Sequence, residues 1–525
     1  MNKSLFIVVT LFVSTLLLSC KKAEVTTTAN KIYYKHYVGQ GSTNEPFARV
    51  MVNVAQAKAS LKNAKLTLQG TTNLSDVTEL KIYTSGADTV FNVSQAELLG
   101  TIVSPDTVDI ECKLKTKLPI GENNIWLTCN ISEKAKEGNI VKATINTLKV
   151  ADEEQQIEQL PNDNLRQILL ACNTVYDLNQ DGSKYYRIPA IVTAADGSLV
   201  ALIDKRGDIL TDLPNTISVV ARRSIDGGKT WGDAVTIAQG DSLKGKTYGD
   251  VAVVLDNVTK NLVAVFAGDR GLWDSNNENP QRIYTSQSAD NGVTWSTPCD
   301  ITEQVYKGVY GRGTRYGMFA GSGHALQLSN GRLMFVVAAR YTPDKGELHN
   351  YAVYSDDHGK TWEVSRNSPT PTPRNRGDEA KVVELANGDI LMSIRNPEKG
   401  YRKFAISKTK GETWQPAKVS DNLIEPACNG DILRYTHGGK DYLIQSLPAS
   451  KTDRENVTIY LSEDNGKTWS VKRQLVDGMS AYSSLTILGD GTIGCLVEVG
   501  RHHTATDEIG MRIIYYNFSI DWIFD

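Results

Sequence analysis

The sequence predicts an all-β protein, a six-bladed β-propeller preceded by a smaller β-sandwich. Two repeats after residue 168 predict the propeller, and period-two alternation of apolar and polar residues without those repeats predicts the sandwich. The first repeat has the pattern Ser-x-Asp-x-Gly-x-Thr-Trp and occurs at Ser224–Trp231, Ser288–Trp295, Ser355–Trp362 and Ser462–Trp469. A fifth copy, Ser407–Trp414, has Thr409 in place of the Asp.

The first twenty residues predict export from the cell. Lys3 followed by the apolar run Leu5–Leu18 is typical of a signal peptide, and this run is too short for a comfortable membrane span. The run ends in Leu17-Leu18-Ser19-Cys20, which resembles a bacterial lipobox. The resemblance implies cleavage before Cys20, a lipid on its sulfur, and a location in the cell envelope, in the periplasm or at the outer-membrane surface. The alternative is an ordinary signal peptide.

The next segments precede the repeats. Residues 21–30 are polar and are predicted to be a tether. Residues 31–150 alternate in the manner of strands, as in Glu79–Thr84 and Asn124–Cys129, and are predicted to form a β-sandwich that either binds carbohydrate or only packs. Residues 151–167 start with acidic side chains and contain Pro161, so we expect a linker, with a helix as the alternative.

Each copy of the eight-residue pattern, called a box turn below, predicts a tight turn between two antiparallel strands. Its Asp carboxylate can accept hydrogen bonds from N–H groups of the turn, and its Gly can adopt a positive φ. The Trp is expected to pack beneath the turn. We therefore interpret the box turn as structural rather than chemical.

The second repeat is a hairpin signal between two apolar runs. It occurs six times, at Asp196–Gly197, Asn257–Asn261, Asn330–Gly331, Asn387–Gly388, Gly438–Gly439 and Asp490–Gly491. Each of the first five is followed by a box turn, so that one unit contains two hairpins and therefore four antiparallel strands. Six units with a period of roughly fifty to sixty-five residues predict a six-bladed propeller over residues 168–525.

Charge and cysteine spacing limit the classes of function. The formal net charge is −3, which does not favour a nucleic-acid binder. The seven cysteines lack CxxC or Cys/His spacing, so neither a metal site nor a cofactor is expected. Whether they form disulfides or remain buried thiols is left open by the sequence.

The predicted strand order selects one rim of the propeller for chemistry. In an antiparallel blade, the start of strand one, the end of strand two and the following loop share one rim, while the box turns lie on the other. The candidate residues at the favoured places are Arg187, Arg206, Asp212, Asp250, Trp273, Glu379, Arg395, Arg454, Tyr482 and Glu498. Because guanidinium groups bind carboxylates in bidentate fashion, this rim predicts an anionic ligand.

The order of these residues resembles that of the bacterial sialidases (neuraminidases). The resemblance is carried by Tyr185-Tyr186-Arg187-Ile188-Pro189, by Glu379 with Arg395 sixteen residues later, and by Tyr482 after Arg454, with box turns between them. It covers roughly Val175–Asp525. It implies a retaining exo-α-sialidase that hydrolyses terminal α-linked sialic acids of glycoproteins, glycolipids and oligosaccharides without a metal or cofactor.

The resemblance also implies roles for single residues. Arg187, Arg395 and Arg454 resemble the arginine triad that holds the sialic acid carboxylate, Tyr482 resembles the nucleophile, and Glu379 resembles its base. A neutral phenol suits this sugar, because a carboxylate nucleophile would be repelled by the carboxylate on the anomeric carbon. Glu379 is then needed to accept the proton of a phenol whose ordinary pKa is near 10.

The remaining candidates surround this set. Asp212 resembles the acid/base residue, although Asp208 lies in the same loop, and Arg206 is expected near the substrate carboxylate. Glu498 resembles the carboxylate that orients the first arginine. Asp250 and Trp273 resemble contacts to the N-acetyl and glycerol arms of the sugar.

Two alternative functions share parts of this set. A propeller that only binds sialylated glycans would need the arginine triad without the catalytic residues, and Tyr482, Glu379 and Asp212 argue against it. An intramolecular trans-sialidase, which releases an anhydro sugar, would use the same catalytic residues. The sequence does not distinguish that enzyme from a hydrolase.

Overall fold

The computed structural model describes residues 23–30, 36–159, 164–311, 313–343, 347–500 and 510–525. The prediction of an all-β protein is confirmed, since 52% of the residues are in strands and 4% in helices. The predicted signal peptide and Cys20 lie outside the described residues. Across the ranges given above, no helix has both the length and the apolar character needed to cross a membrane.

The N-terminal part of the chain is built from strands of three sheets. These strands are β1 (Glu24–Asn30), β2 (Tyr37–Gly39), β3 (Glu45–Ala55), β4 (Ala59–Thr67), β5 (Val77–Thr84), β6 (Glu97–Val103), β7 (Asp109–Leu118), β8 (Gly121–Ile131), β9 (Ile140–Lys142), β10 (Thr144–Val150), β11 (Glu153–Gln156) and β12 (Leu165–Leu169). The sheets have the orders β1-β3-β8-β5-β6, β11-β10-β4-β7 and β2-β12-β9. Apolar side chains of the two larger sheets, such as Val52 and Ile125 from one and Leu61 and Leu148 from the other, share one core.

One prediction and one alternative for this part are wrong. Residues 24–30, expected to be a tether, form β1 and pair antiparallel with β3. The cause is local, because the β-branched run Val25–Thr28 favours a strand and Val25 and Ala29 pack against the core. The helix considered for residues 151–167 is also replaced, because the described residues of that segment form β11, which pairs with β10, and most of β12.

The described residues after β12 form six further sheets, two short α-helices and one 3-10 turn at Ser242–Lys244. The strands are β13 (Ala171–Tyr176), β14 (Tyr186–Thr193), β15 (Leu199–Lys205), β16 (Ser218–Ser224), β17 (Val235–Ala238), β18 (Tyr248–Leu255), β19 (Leu262–Gly268), β20 (Arg282–Ser288), β21 (Cys299–Asp300), β22 (Gly317–Ala320), β23 (Gly323–His324), β24 (Leu326–Gln327), β25 (Leu333–Arg340), β26 (Leu348–Ser355), β27 (Glu363–Val364), β28 (Ala380–Glu384), β29 (Ile390–Ile394), β30 (Gly400–Ser407), β31 (Lys418–Glu425), β32 (Asp431–His437), β33 (Lys440–Pro448), β34 (Val457–Ser462), β35 (Val471–Gln474), β36 (Ser480–Ile487), β37 (Ile493–Gly500) and β38 (Met511–Phe518). The helices are α1 (Thr302–Tyr310) and α2 (Ile520–Phe524).

Five of these six sheets are wholly antiparallel, and in the remaining one the short strand β23 pairs parallel with β18. Their orders are β14-β15-β16-β17, β21-β20-β19-β18-β23, β22-β25-β26-β27, β28-β29-β30-β31, β32-β33-β34-β35 and β13-β38-β37-β36. The last sheet takes its outer strand, β13, from the beginning of this part of the chain. Pairing of β13 with β38 therefore joins the two ends of the region.

The sheets contact one another in sequence through their first strands, except that the third sheet contacts the fourth through its second strand, β25. β14 contacts β18, β18 contacts β22, β25 contacts β28, β28 contacts β32, β32 contacts β36, and β36 contacts β14. The sixth sheet therefore contacts the first. As a result, residues at the starts of β14, β18, β28 and β36 lie near one another although they are far apart in the chain.

The box turns have the hydrogen bonds that their sequence predicts. In the first copy, Asp226 accepts hydrogen bonds from the backbone N–H of Thr230 at 2.9 Å and from its hydroxyl at 2.5 Å. Gly228 has a φ of 89°, and a Cβ at that position would overlap the ring of Tyr515. Trp231 packs edge-to-face on the same ring. The turn joins β16 to β17, at the end of the sheet opposite to the starts of β14 and β18.

Candidate active site

One cavity of about 270 Å³ lies where the starts of four first strands meet. Its wall contains eight of the ten candidates, namely Arg187, Asp212, Asp250, Trp273, Glu379, Arg395, Arg454 and Tyr482. The other two, Arg206 and Glu498, lie behind this wall and bind residues of it. Asp208 is not part of the wall, so the geometry separates it from Asp212.

Three of the wall residues lie in β-bulges. The pairing of β14 with β15 shifts between Arg187 and Ala190, that of β18 with β19 shifts around Asp250, and that of β36 with β37 shifts around Tyr482. Ile188 and Asp250 have φ values of 66° and 57°, which are unusual for residues with a side chain. A bulge turns side chains out of their regular alternation, and here it occurs at the same place in three sheets.

Tyr482, Glu379 and Arg395 form a contiguous triangle. The Tyr482 hydroxyl donates a hydrogen bond to Oε1 of Glu379, and Nη1 of Arg395 binds Oε2 of the same carboxylate. Arg395 Nη1 also lies 3.0 Å from the Tyr482 oxygen. The phenol is therefore held between the carboxylate that accepts its hydrogen bond and a fixed positive charge.

Two further arginines lie over the tyrosine. The guanidinium carbons of Arg187 and Arg454 are each 5.3 Å from the centre of the Tyr482 ring. Arg187 is fixed by Glu498, whose carboxylate accepts hydrogen bonds from Nε at 2.7 Å and Nη2 at 3.1 Å. The same buried carboxylate accepts the backbone N–H groups of Ile188 at 2.8 Å and Tyr482 at 3.2 Å. Glu498 thus connects the bulges of β14 and β36.

These contacts separate the pKa values of the phenol and the carboxylate. Burial, together with the charge of Glu379, raises the pKa of Tyr482 well above its ordinary value, against the opposing effect of Arg395 and Arg454. Burial alone would raise the pKa of Glu379, but the Arg395 charge and the hydrogen bond from Tyr482 lower it to about 2. With these pKa values the proton stays on the phenol.

A second carboxylate stands beside this triangle. Asp378 Oδ2 is 3.4 Å from Nε of Arg395, and burial raises the pKa of Asp378 to about 7 in spite of that charge. The ionised Glu379 next to it contributes to the increase. Sequence reasoning missed Asp378, although an acidic residue directly before the candidate base is a signal that could have found it.

A group of buried acids lies on the other side of the cavity. Asp204 accepts the backbone N–H of Asp250 at 3.1 Å and binds Arg206 at 3.1 Å. Burial raises the pKa of Asp204 to about 7 and that of Asp250 well above its ordinary value. Asp204 was not among the candidates. Asp204 positions two residues that were candidates, Asp250 and Arg206. Its burial at the end of β15 could not be inferred from the sequence.

Asp212 is the exposed acid of the site. Its side chain is 78% exposed, and Oδ1 lies 2.7 Å from Nη1 of the buried Arg206. Arg206 therefore points towards this carboxylate from behind rather than into the cavity. Asp212 stands at the mouth of the cavity, where an incoming group can reach it.

The rest of the wall is largely apolar and was missed by sequence reasoning. It consists of Ile188, Leu213, Leu272, Phe319 and Leu348, together with the polar Gln281. Beneath Tyr482, Ile188 packs with Cys428 and Ala481 in a small buried cluster. These residues occupy ordinary strand and loop positions, so no pattern in the sequence distinguishes them from core residues.

Trp273 is held in place by Arg340. Nη1 of the buried Arg340 donates to the carbonyl of Trp273 at 3.2 Å, and Nη2 donates to the carbonyls of Ser275 at 2.9 Å and Tyr316 at 3.0 Å. The Arg340 guanidinium carbon is also 5.6 Å from the Trp273 ring centre. Arg340 thus supports the loop that carries the tryptophan.

Comparison with known proteins identifies the family. Residues 214–495, more than half of the chain, match the family described as BNR repeat-like domain, and residues 26–154 match the N-terminal domain of BNR-repeat neuraminidase. The chain belongs to the BNR-repeat sialidase family. It is therefore an enzyme of the glycoside hydrolase class, of the exo-sialidase type.

Individual members of this family support the assignment. A sialidase of Micromonospora viridifaciens is 33% identical over 365 residues, which are 66% of this chain and 53% of the relative's length. A sialidase of Bacteroides fragilis is 26% identical over 514 residues, which cover 88% of this chain and 90% of the relative. The structure of Hadza microbial sialidase Hz136 has a TM-score of 0.69 at 22% identity and covers 93% of this chain and 98% of its own. That structure shows a shared fold.

Proposed function

We propose that this sialidase hydrolyses terminal α-linked sialic acid from glycans with retention of configuration, through a tyrosyl-enzyme intermediate. The observation that carries the proposal is the triangle of Tyr482, Glu379 and Arg395 between two further arginines in one cavity. Retaining glycosidases usually attack with a carboxylate, and sialidases are the known exception that uses a tyrosine.

The arginines account for recognition of the substrate. Arg187, Arg395 and Arg454 would share the carboxylate on the anomeric carbon, because three guanidinium groups around one opening favour a planar anion. The cavity of about 270 Å³ fits a single sugar unit. Its apolar wall at Phe319 and Leu348 suits a methyl group such as that of an N-acetyl arm.

The first chemical step uses the proton path between phenol and carboxylate. As the Tyr482 oxygen attacks the anomeric carbon, its proton passes to Glu379, and Asp212 gives a proton to the departing glycosidic oxygen. Without a substrate carboxylate beside Arg395, the full Arg395 charge keeps the pKa of Glu379 low, so Glu379 is a weak base. A bound substrate carboxylate would offset part of the Arg395 charge and so raise the pKa of Glu379 when the base is needed.

The second step returns the enzyme to its starting state. Asp212, now ionised, takes a proton from water, and the resulting nucleophile displaces Tyr482 from the sugar while Glu379 returns the proton to the phenol. Two displacements at one carbon give overall retention. The exposure of Asp212 supports this role, since both the leaving group and the water reach the sugar from the open side.

Turnover of a fluorogenic sialoside tests the proposal. We expect release of free sialic acid, with the α-anomer formed first when the reaction is followed by NMR. A product lighter by one water in mass spectrometry would identify an intramolecular trans-sialidase, which uses the same residues. Binding of sialyllactose without turnover by folded protein would indicate a propeller that only binds glycans.

We further propose that the six sheets are the blades of a β-propeller and that the N-terminal sheets form a β-sandwich. The cyclic contacts of the first strands and the pairing of β13 with β38 support the propeller. Its test is a crystal structure. Six sheets arranged radially around one axis would support the proposal, and any other arrangement would contradict it.

Export as a lipoprotein of the cell envelope is also proposed, on the sequence around Cys20. Metabolic labelling of a bacterial host with a radioactive fatty acid tests it. The wild-type protein should carry the label and sediment with membranes, whereas a Cys20→Ser variant should not. Equal labelling of both would contradict the proposal.

A further inference from the structure

A second cavity, of about 700 Å³, lies beside the active-site cavity at the same ends of the strands. It is bordered by the segment before β18, at residues 244–247, and by the loop from β19 into β20, at residues 269–284. No step of the proposed reaction uses it.

The two cavities are separated by a thin wall. One side of the wall is the segment Leu213–Pro214, of which Leu213 faces the active-site cavity and Pro214 faces the second cavity. The other side is the 269–284 loop, where Leu272 faces the active-site cavity and Arg270 the second one. Between them, a Cβ at Gly271 would overlap the carbonyl oxygen of Leu213, so the two segments are in direct contact.

The floor of the second cavity is an organised polar network. Asp269 Oδ2 accepts hydrogen bonds from Lys246 Nζ at 3.0 Å and from the Tyr284 hydroxyl at 2.8 Å. Arg282 lies 3.5 Å from the same oxygen and 2.6 Å from Asp300. The other oxygen of Asp269 is buried and accepts no hydrogen bond from the described part of the chain. Such a set of donors and acceptors suits the hydroxyl groups of a sugar.

The charged side chains that line the second cavity have a formal net charge of +1, from four cations and three carboxylates. Lys244, Lys246, Arg270 and Arg282 face Asp269, Glu278 and Asp300. Arg270 is exposed and forms no ion pair with any residue that the structure describes. The positive φ of Asp269, 67°, turns the chain directly before it. Arg270 is therefore the cation with a free guanidinium face towards the cavity.

We propose that the second cavity binds the leaving-group side of the substrate glycan and prefers a sugar unit with a negative charge, as in a second sialic acid or a sulfated hexose. This inference rests on the proposed function. Asp212, which protonates the glycosidic oxygen, directly precedes the Leu213–Pro214 wall. A glycan that continues from that oxygen therefore starts at the wall, and its next sugar units reach the cavity behind Pro214.

The experiment compares four sialosides with the full-length enzyme. Methylumbelliferyl sialoside has no sugar on the leaving side, 3′-sialyllactose has neutral sugars, and disialyllactose and a 6-sulfated sialyllactosamine have acidic groups. The variant is Arg270→Gln. The matched control is Arg366→Gln, because Arg366 is 74% exposed and lies at the start of the segment after β27, away from both cavities.

For Arg270→Gln we expect kcat/KM to fall about five- to tenfold on the acidic substrates, as for loss of one partly solvated charge-assisted hydrogen bond. The methylumbelliferyl and neutral substrates and the Arg366→Gln variant should show no change. A loss with only one acidic substrate identifies whether carboxylate or sulfate is preferred.

Equal losses on all four substrates, or no loss on either acidic one, would overturn the inference. Wild-type enzyme that fails to hydrolyse even methylumbelliferyl sialoside would instead contradict the proposed function, and the leaving-group assignment with it. Added salt gives an independent check, because screening should lower kcat/KM of the wild type on the acidic substrates and much less on the neutral one.

Discussion

Replacing Glu498 by Gln removes one charge from a carboxylate that no solvent reaches. The side chain is 0% exposed and accepts four hydrogen bonds, two at each oxygen. Arg187 Nε and the N–H of Ile188 bind Oε1, whereas Arg187 Nη2 and the N–H of Tyr482 bind Oε2. A Gln amide has only one acceptor oxygen, so in either orientation its NH₂ group faces two donors.

The cost follows from these contacts. Two donors lose their acceptor and Arg187 loses its counter-charge, and breaking one partner of a buried ion pair costs about 3–5 kcal/mol. At about 2 °C per kcal/mol for a large domain, the melting temperature should fall by roughly 5–10 °C. Arg187 and Tyr482 would also lose their shared anchor, and a displacement of about 1 Å in such a site lowers kcat/KM by about 100-fold.

Thermal melting and kcat/KM on a fluorogenic sialoside measure the two effects. The matched control is Glu133→Gln, because Glu133 also pairs with a cation, Lys229, but is 70% exposed. An exposed pair contributes at most about 1 kcal/mol, so this variant should melt and react like the wild type. If Glu498→Gln behaved like its control, the role of Glu498 as anchor of both bulges would be refuted.

Three further predictions concern single side chains. Tyr482→Phe should lower kcat/KM by about 1000-fold or more, because the reacting group is lost, and should leave the melting temperature unchanged. Substantial remaining activity would exclude Tyr482 as the nucleophile. Asp212→Ala should lower kcat/KM about 100-fold more on sialyllactose than on methylumbelliferyl sialoside, because the latter has a good leaving group. Asp208→Ala should leave kcat/KM on both substrates unchanged. The reverse pattern would assign the acid to Asp208. Burial raises the pKa of Asp378 from 3.8 to about 7. The folded protein therefore binds this proton more tightly than the unfolded chain does. The resulting stabilisation is complete below pH 3.8 and is lost as the pH rises to about 7. Between pH 4 and pH 8, the melting temperature of Asp378→Asn should therefore decline less steeply with pH than that of the wild type. Parallel plots of melting temperature against pH would contradict the raised pKa of Asp378.

Much of the site was predictable because its residues occupy equivalent places in a repeat. The box turns are determined within eight residues, since Asp226 binds the N–H and hydroxyl of Thr230 in the same turn. Once turns and hairpins set the strand order, that order assigns Arg187, Glu379 and Tyr482 to one side. The structure places all three in a single cavity wall. Local stereochemistry was sufficient to bring these three residues to one side of the sheets.

Other features depend on contacts that no local pattern contains. Arg187 and Glu498 are 311 positions apart, and their contact arises only when the last sheet packs against the first. Tyr482 and Glu379 are 103 positions apart, and their contact joins the last sheet to the residue before β28. The bulge at Ile188 had a signal in Pro189, which cannot donate a regular ladder hydrogen bond. The shifts around Asp250 and Tyr482 had none.

The sequence by itself determined the all-β class, the turns and eight of the residues in one cavity wall, because hydrogen bonds within a turn and the alternation of a strand are properties of a few neighbouring residues. Tertiary structure alone decided that β13 pairs with β38 and which acids are buried beside the arginines. Tertiary structure also determines the wall of the second cavity, because this wall forms where Gly271 packs against Leu213. These features depend on which distant segments pack together, and desolvation of a carboxylate follows from that packing rather than from its neighbours in the chain.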